Sequence, residues 1–409
     1  MSVIALACER PALDEAAPPV PFVSQTVAHA TLDLVSTRDG FDALEASWNA
    51  LFDRAGRDIH LFQTFNWLWH WANHFLPAAG ERGATLAIVT AHIDGRLVLV
   101  LPLVAERVGP LTQLEWMGEP VGQYGDALID TLPDGDGAAL LRAALDFAAS
   151  RTGAGALRLR RVREDSNIAP LLADMGALVV SEVQAPYLSL EGVETFEALV
   201  QRHSGSTRRN RSRQRRRLSE RGALAFDYRT HGAEAEALTA LAFAYKAVWL
   251  DARGLYSRAF SDPRTARFFA DVSRAETRPA GCYVAALASG GHTAAIEVGV
   301  RCKGRSAIHI VTYDLAYEKA AAGALLMEDS IRRALADGMT GFDFLPPGYD
   351  YKWEWADSSV AVRDWAVPLS PIGHLYTSLY LRGLRGVVKR GVEAMPLPVR
   401  RKIATLLKR

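Results

Sequence analysis

Residues 306–355 read SAIHIVTYDLAYEKAAAGALLMEDSIRRALADGMTGFDFLPPGYDYKWEW. Ser306–Asp314 is a strand pattern, rich in β-branched side chains. A small-residue loop leads into a helix pattern over Ala324–Asp337, where Met327, Ile331, Ala334 and Leu335 form an i, i+4, i+7, i+8 stripe and Glu328 and Arg332 an outer pair. A short strand, GFDFLPP, and the run YDYKWEW follow. Upstream, GCYVAALASG and HTAAIEVGVRCKG read as two more strands, joined to the first by Gly-bearing turns. Antiparallel hairpins feeding a helix predict an α+β fold with mixed, mostly antiparallel sheets flanked by helices, and argue against a doubly wound dinucleotide fold. No GxGxxG, GxxxxGK or GxSxG is present, so Rossmann, P-loop and serine-hydrolase readings lose their main support.

Working outward, two further helices (Ala233–Asp251 and Pro263–Arg274) complete this block. An earlier block repeats the plan. It has a helix near Asp42–Arg54, an aromatic helix in FQTFNWLWHWANHF, two strands turning at Asp94-Gly95, a helix over 137–150 and a strand in ALRLRRV. On the aromatic helix Phe65, Leu68, Trp69, Trp71, Ala72, Phe75 and Leu76 share one arc, which is read as core. Asn66, His70, Asn73 and His74 share the other, read as solvated or substrate-facing. His70 and His74 have metal-pair spacing, but Trp71 stands where a zincin needs Glu, so no metal is expected. The expected divisions are a disordered leader (1–30), a first domain (31–190), an Arg-rich helical linker (191–232), a second domain (233–370) and a basic amphipathic tail (371–409).

The chain has 409 residues and a net charge of +1, which hides an asymmetry. Residues 208–221 hold eight Arg against one Glu, and residues 371–409 nine Lys or Arg against one Glu. Basicity gathered in two places points to local anionic partners rather than general nucleic-acid affinity. Three cysteines without CxxC spacing, no signal-peptide pattern and no apolar run of membrane-span length fit a cytoplasmic protein.

The order of events from His309 to Trp355 resembles the Acetyltransf_6 group of the GNAT superfamily, with its CelD-type members from cellulose biosynthesis, related in fold to the Fem-type aminoacyl transferases. FQTFNWLWHW, the Arg run with Leu218 and Gly222, and DARGLYSRAFSDPRTARFF extend the likeness over roughly residues 40–370. The resemblance implies tandem GNAT-like domains, the second carrying the acyl-donor site. It implies an acetyl-CoA or other acyl-CoA co-substrate and no metal. The group's loop is commonly Ser-Pro-Gly-like; here it reads Ala321-Ala322-Gly323.

Acyl transfer from a thioester needs a cradle for the pyrophosphate, a donor for the carbonyl oxygen, a base for the acceptor and an acid for the thiolate. The loop–helix junction Ala322-Gly323-Ala324 offers unpaired first-turn N–H groups and a favourable dipole. Glu297 lies on the less bulky face of its strand with Ala295 and Gly299, where a raised pKa would suit a base; His309 is the alternative base. Asp314 ends a strand and caps a turn or lines the cofactor site. By resemblance, Asp343 matches the family's strand Asp and Tyr351-Lys352 its Tyr-Lys pair. Tyr351 is a candidate acid and Lys352 a candidate for holding phosphate or polarising substrate; Tyr313 and Tyr349 compete for the acid role.

The eight arginines spread around the helical wheel with no apolar stripe before Leu218, so something anionic must hold them. Three readings stay open: an internal salt-bridged helix, an anion-binding wall of the cleft carried by Arg213, Arg216 and Arg217, or nucleic acid, because Fem-type relatives take aminoacyl-tRNA. In the tail, Tyr376, Tyr380, Leu381, Leu384, Val387 and Val388 oppose Arg382, Arg385 and Lys389, the pattern of a helix lying on an anionic membrane or docked on the second domain. The expected activity is transfer of an acyl group, acetyl in the first place, to an amine or hydroxyl of a small-molecule or glycan acceptor, with an envelope polysaccharide as one setting. The alternatives are a tRNA-dependent transferase and a non-catalytic, membrane-peripheral component of a polysaccharide-synthesis assembly.

Overall fold

The structure, a computed structural model, describes residues 25–27, 29–77, 83–132 and 136–378, with 391, 395 and 399 besides. The expected leader lies outside these residues up to 24, and the expected tail helix lies outside them beyond 378.

The first half carries strands β1 (Ala30–Val35), β2 (Ile88–Ile93), β3 (Arg96–Leu101), β4 (Leu103–Val108), β5 (Leu111–Trp116), β6 (Ala156–Arg163) and β7 (Leu178–Ser189). The second carries β8 (Leu224–Arg229), β9 (Gly281–Ser289), β10 (His292–Cys302), β11 (Arg305–Tyr313), β12 (Gly341–Asp343) and β13 (Ser358–Pro368). Two-residue turns at Asp94-Gly95, Gly290-Gly291 and Lys303-Gly304 all have positive φ at both positions, the geometry that matches strand twist in tight hairpins.

With three short strands (Gln25–Val27, Thr85–Leu86 and Leu128–Ile129), these form a five-stranded and an eleven-stranded sheet. The large sheet runs β8-β9-β10-β11-β12-β7-β13-β6-β5-β4 and then Thr85–Leu86. Its centre is an exchange. β13, from the end of the second half, lies between β7 and β6 of the first, while β7 lies between β12 and β13 of the second. On either side, β5 runs parallel to β6 and β11 runs parallel to β12. The two halves therefore share a sheet about a pseudo-twofold arrangement.

They also share a core. Phe65, Trp67, Leu68 and Trp71 of the aromatic helix (Phe65–Phe75) pack in one cluster with Phe268, Phe269, Val298 and Ile310. Its polar face is turned mostly to protein, with Asn73 its exposed member. His70 Nδ1 and His74 Nε2 both meet Asp271 Oδ2 of the helix Pro263–Arg274, at 2.9 and 3.0 Å, and Asn66 donates to Ala280 O. Partners far apart in sequence settle this, which helical periodicity alone does not encode.

The expected linker is also part of the second half. The helix Gly205–Ser219 (the arginine helix) buries Leu218 against Ala285, Leu287, Ala322 and Leu325. Phe196 and Leu199 pack on Met327 and Ile331, and β8 pairs with β9. The second half thus begins well before residue 233, and the exchanged strands prevent a clean cut between halves.

Candidate active site

β11 and β12 pair only over Arg305–Ala307 and Gly341–Asp343. Beyond that the two chains separate, and the helix Ala322–Ala336 (the Gly323 helix) begins near the end of β11. Asp314 caps the intervening 3₁₀ turn: its Oδ1 accepts from Ala316 N at 2.9 Å, and its Oδ2 meets His292 Nε2 at 2.9 Å. Ala321 then takes φ +56°, a conformation costing an L-residue about 1 kcal/mol. Ala324 and Leu325 N–H both donate to Ala321 O. The N–H groups of Ala322 and Gly323 have no partner among the described residues. Ala322 is buried in the Leu218 cluster, Gly323 is half-buried and Ala324 exposed, so the Gly323–Ala324 side of the helix start is the side that faces outward. A Cβ at Gly323 would stand 3.3 Å from a ring carbon of Tyr313, so glycine keeps this approach clear.

Tyr313 anchors one wall. Its hydroxyl accepts from Trp249 Nε1 at 3.1 Å and from Arg253 at 3.4 Å, and donates to Glu318 at 3.1 Å; Arg253 also pairs with Glu318. Trp249 and Arg253 come from the helix Ala233–Ala252 (the 233–252 helix).

His309 lies at a bulge of β11, where the register with β10 shifts between Val298–Ile310 and Gly299–Ile308. The bulge leaves one residue out of the ladder and re-aims its side chain. The ring sits among Phe62, Trp67 and Phe269, so the first half supplies much of this wall. Nε2–H donates to Val121 O at 2.6 Å, which fixes the tautomer over the weaker 3.3 Å approach of Gln123 Nε2. Nδ1 is then a buried lone pair with no partner. Burial pushes the imidazole down to about 4, so the ring is neutral at pH 7.

Glu297 is not brought together with His309. The alternation places it as expected, but its face is covered by the Gly323 helix, and the carboxyl is fully buried. Tyr283 OH donates to Oε1 at 2.7 Å and the Ser330 hydroxyl lies beside the carboxyl, but burial outweighs both and pushes the group up to about 8. Val311 and Met327 pack on this side of the sheet, whereas Ile310 and the His309 ring join the core on the other. Glu297 thus faces the Gly323 helix, away from the side on which the His309 ring lies.

Asp343 is a hub between the halves. It accepts from Tyr124 OH at 2.9 Å, Arg305 Nη1 at 2.8 Å and Leu345 N at 2.8 Å, with Arg163 at 3.5 Å. Each of these contacts is to a group of the protein itself. Lys352 is likewise turned inward: its ammonium donates to Leu345 O and Pro347 O, and burial pulls it down to about 8. Tyr349 and Tyr351 stack on each other and are exposed.

The arginine helix divides by face. Arg215 pairs with Glu328 and Asp329, Arg211 with Glu354, and Arg221 donates to Ala316 O. The outer face, Gly205, Arg208, Arg209, Ser212, Arg213 and Arg216, lines a furrow of about 460 Å³. Arg213 reaches only Asn210, Arg208 only Gln201, and no carboxylate pairs with Arg209, Arg213, Arg216 or Arg217 among the described residues.

Sequence reasoning missed the first-half contributors Val121, Gln123 and Tyr124, and the cationic and aromatic face of the 233–252 helix. Neither has a local motif. The i, i+3, i+7 spacing of Lys246, Trp249 and Arg253 was the available signal.

Residues 205–353 match the family described as acetyltransferase (GNAT) domain. Among solved structures, FemX is similar at 12% identity, covering 83% of this chain and 98% of its own, with a TM-score of 0.54. The C-terminal domain (DUF2156) of a putative lysylphosphatidylglycerol synthetase from Agrobacterium fabrum aligns at 12% identity over 84% and 99%, with a TM-score of 0.50. A tandem GNAT protein from the clavulanic acid biosynthesis pathway aligns at 15% identity over 83% and 99%, with a TM-score of 0.46. No curated protein sequence matches the chain. At such identities the likeness concerns fold.

Proposed function

We propose that this chain, whose residues 205–353 match the acetyltransferase (GNAT) domain family, transfers an acyl group from an acyl-CoA to an amine or hydroxyl of a small-molecule or glycan acceptor. The observation that carries the reading is the start of the Gly323 helix, where Gly323 is half-buried and its N–H has no partner among the described residues. These residues fit a pyrophosphate: backbone donors, small side chains and a helix dipole. An acyl-CoA supplies an activated thioester there. His309 is the base within this chain's reach, because its neutral ring presents the Nδ1 lone pair while Val121 O holds the other nitrogen. Tyr313 braces the mouth. Asp343 and Lys352 hold the cleft's shape rather than touch the reacting atoms.

The test is calorimetry with CoA and acetyl-CoA, followed by thiol release in the presence of amino-sugar and hydroxyl acceptors. Gly323→Val, which pushes on Tyr313, is expected to weaken CoA at least tenfold. If the unmodified protein binds no CoA, the reading fails.

A second reading, a tRNA-dependent transferase, draws on the unpaired outer face of the arginine helix. Salt-sensitive tRNA binding lost on reversing Arg209, Arg213 and Arg216 to Glu would support it. Unchanged tRNA affinity in that variant would remove it. A cell-envelope role and membrane association through the tail are part of the proposal only as settings for the acceptor. No helix among the described residues is long and apolar enough to cross a membrane.

A further inference from the structure

Lys246 is the odd cation of the cleft. It lies on the 233–252 helix three residues before Trp249, whose indole holds the Tyr313 hydroxyl, and Tyr313 borders Gly323. On its other side Phe260 meets Phe243, Phe243 meets Phe269, and Phe269 meets His309. Ring contacts thus connect Lys246 through Trp249 to the helix opening and through Phe260, Phe243 and Phe269 to the bulged histidine. Its ammonium is half-buried, 4.4 Å from the centre of the Trp249 ring and 5.7 Å from that of Phe260.

Among the described residues it has no hydrogen-bond or carboxylate partner. Its neighbours are otherwise. Lys352 has two carbonyls, and Arg253 has Glu318. The nearby charges are of its own sign: Arg253 holds the Lys246 amine down together with burial, and Lys246 does the same to Lys352. A desolvated ammonium with aromatic faces but no oxygen ligand is costly, and two like charges add to the cost. Nothing in the packing requires it, because a methionine would fill the same slot between Trp249 and Phe260.

We propose that Lys246 binds an anionic oxygen of the ligand in this cleft, either a phosphate of the donor or a carboxylate on the transferred or accepting molecule. The aromatic flanks hold the amine in place before the ligand arrives, so one charge-assisted hydrogen bond forms without reorganisation. The inference rests on the acyl-transfer reading only for which molecule brings the anion.

Sodium pyrophosphate and sodium succinate, titrated calorimetrically into the full chain, test it without an acyl-CoA. Lys246→Met is expected to weaken one of them at least tenfold while leaving Tm equal or higher, since it removes an unpaired buried charge. Lys246→Arg is expected to retain binding. Loss of pyrophosphate assigns the donor phosphate, and loss of succinate assigns a substrate carboxylate. Gly323→Val separates this from the donor-helix reading. If it abolishes pyrophosphate binding while Lys246→Met binds both anions as the parent does, the Lys246 inference is overturned and the helix reading stands. If Lys246→Met alone loses an anion, the inference stands and the helix reading falls. A parent that binds neither anion, or a Lys246→Met that melts lower, also overturns it.

Discussion

Replacing Glu297 by Gln probes how the second half is built. The carboxyl is fully buried between β10 and the Gly323 helix, and burial lifts its pKa from an ordinary 4.5 to about 8. A raised folded-state pKa means that the group's contribution is fully present below pH 4.5 and is lost as pH rises through 8. At pH 7 the unfolded chain gains about 2.5 pH units of ionisation that the fold denies, worth ~3 kcal/mol. Gln has no charge to deny. Its Oε1 keeps the bond from Tyr283, and its amide faces the Ser330 hydroxyl that lies beside the carboxyl. Urea unfolding followed by tryptophan fluorescence is therefore expected to find E297Q more stable by about 3 kcal/mol at pH 7 and by less than about 1 kcal/mol at pH 5. Acyl transfer should persist. A difference that does not change with pH, or a variant destabilised at pH 7, would refute the buried neutral carboxyl; a collapse of turnover with stability intact would return Glu297 to the chemistry.

Two other perturbations follow from the same geometry. Asp343→Asn leaves the buried Arg305 and Arg163 short of a counter-charge and should cost about 3–5 kcal/mol, read by urea unfolding; a change below about 1 kcal/mol would mean that Asp58 and Asp165 suffice. His309→Gln should lower kcat by roughly 10²–10⁴ with little effect on CoA affinity. The parent's acid limb of kcat/KM should fall near pH 4, because the imidazole protonates at about 4; a limb between 6 and 7 would assign the base elsewhere.

Much of the second half was legible from residues 281–355, because hairpin turns, a strand pattern and an amphipathic helix are all local signals. The face of Glu297 was also readable. What covers that face was not, since a period of two distinguishes sides and not solvent from a helix docked above. His309 illustrates a different limit: its wall comes from Phe62, Trp67 and Val121, nearly two hundred residues or more away. The arginine helix was read correctly in having only Leu218 to bury, yet which arginines are paired depends on Glu328, Asp329 and Glu354, which sequence spacing does not bring near. Lys246 escaped notice because an isolated lysine on a long helix is ordinarily solvated.

The interleaving of β7 with β13 has a temporal consequence. A nascent chain that has emerged as far as β7 has a gap beside β6 that nothing yet synthesised can fill, and the filler is encoded some 170 residues later. Until Ser358–Pro368 arrives, both edges of that gap are open templates for other strands, which marks the interval as the period when the molecule depends most on chaperones or on speed.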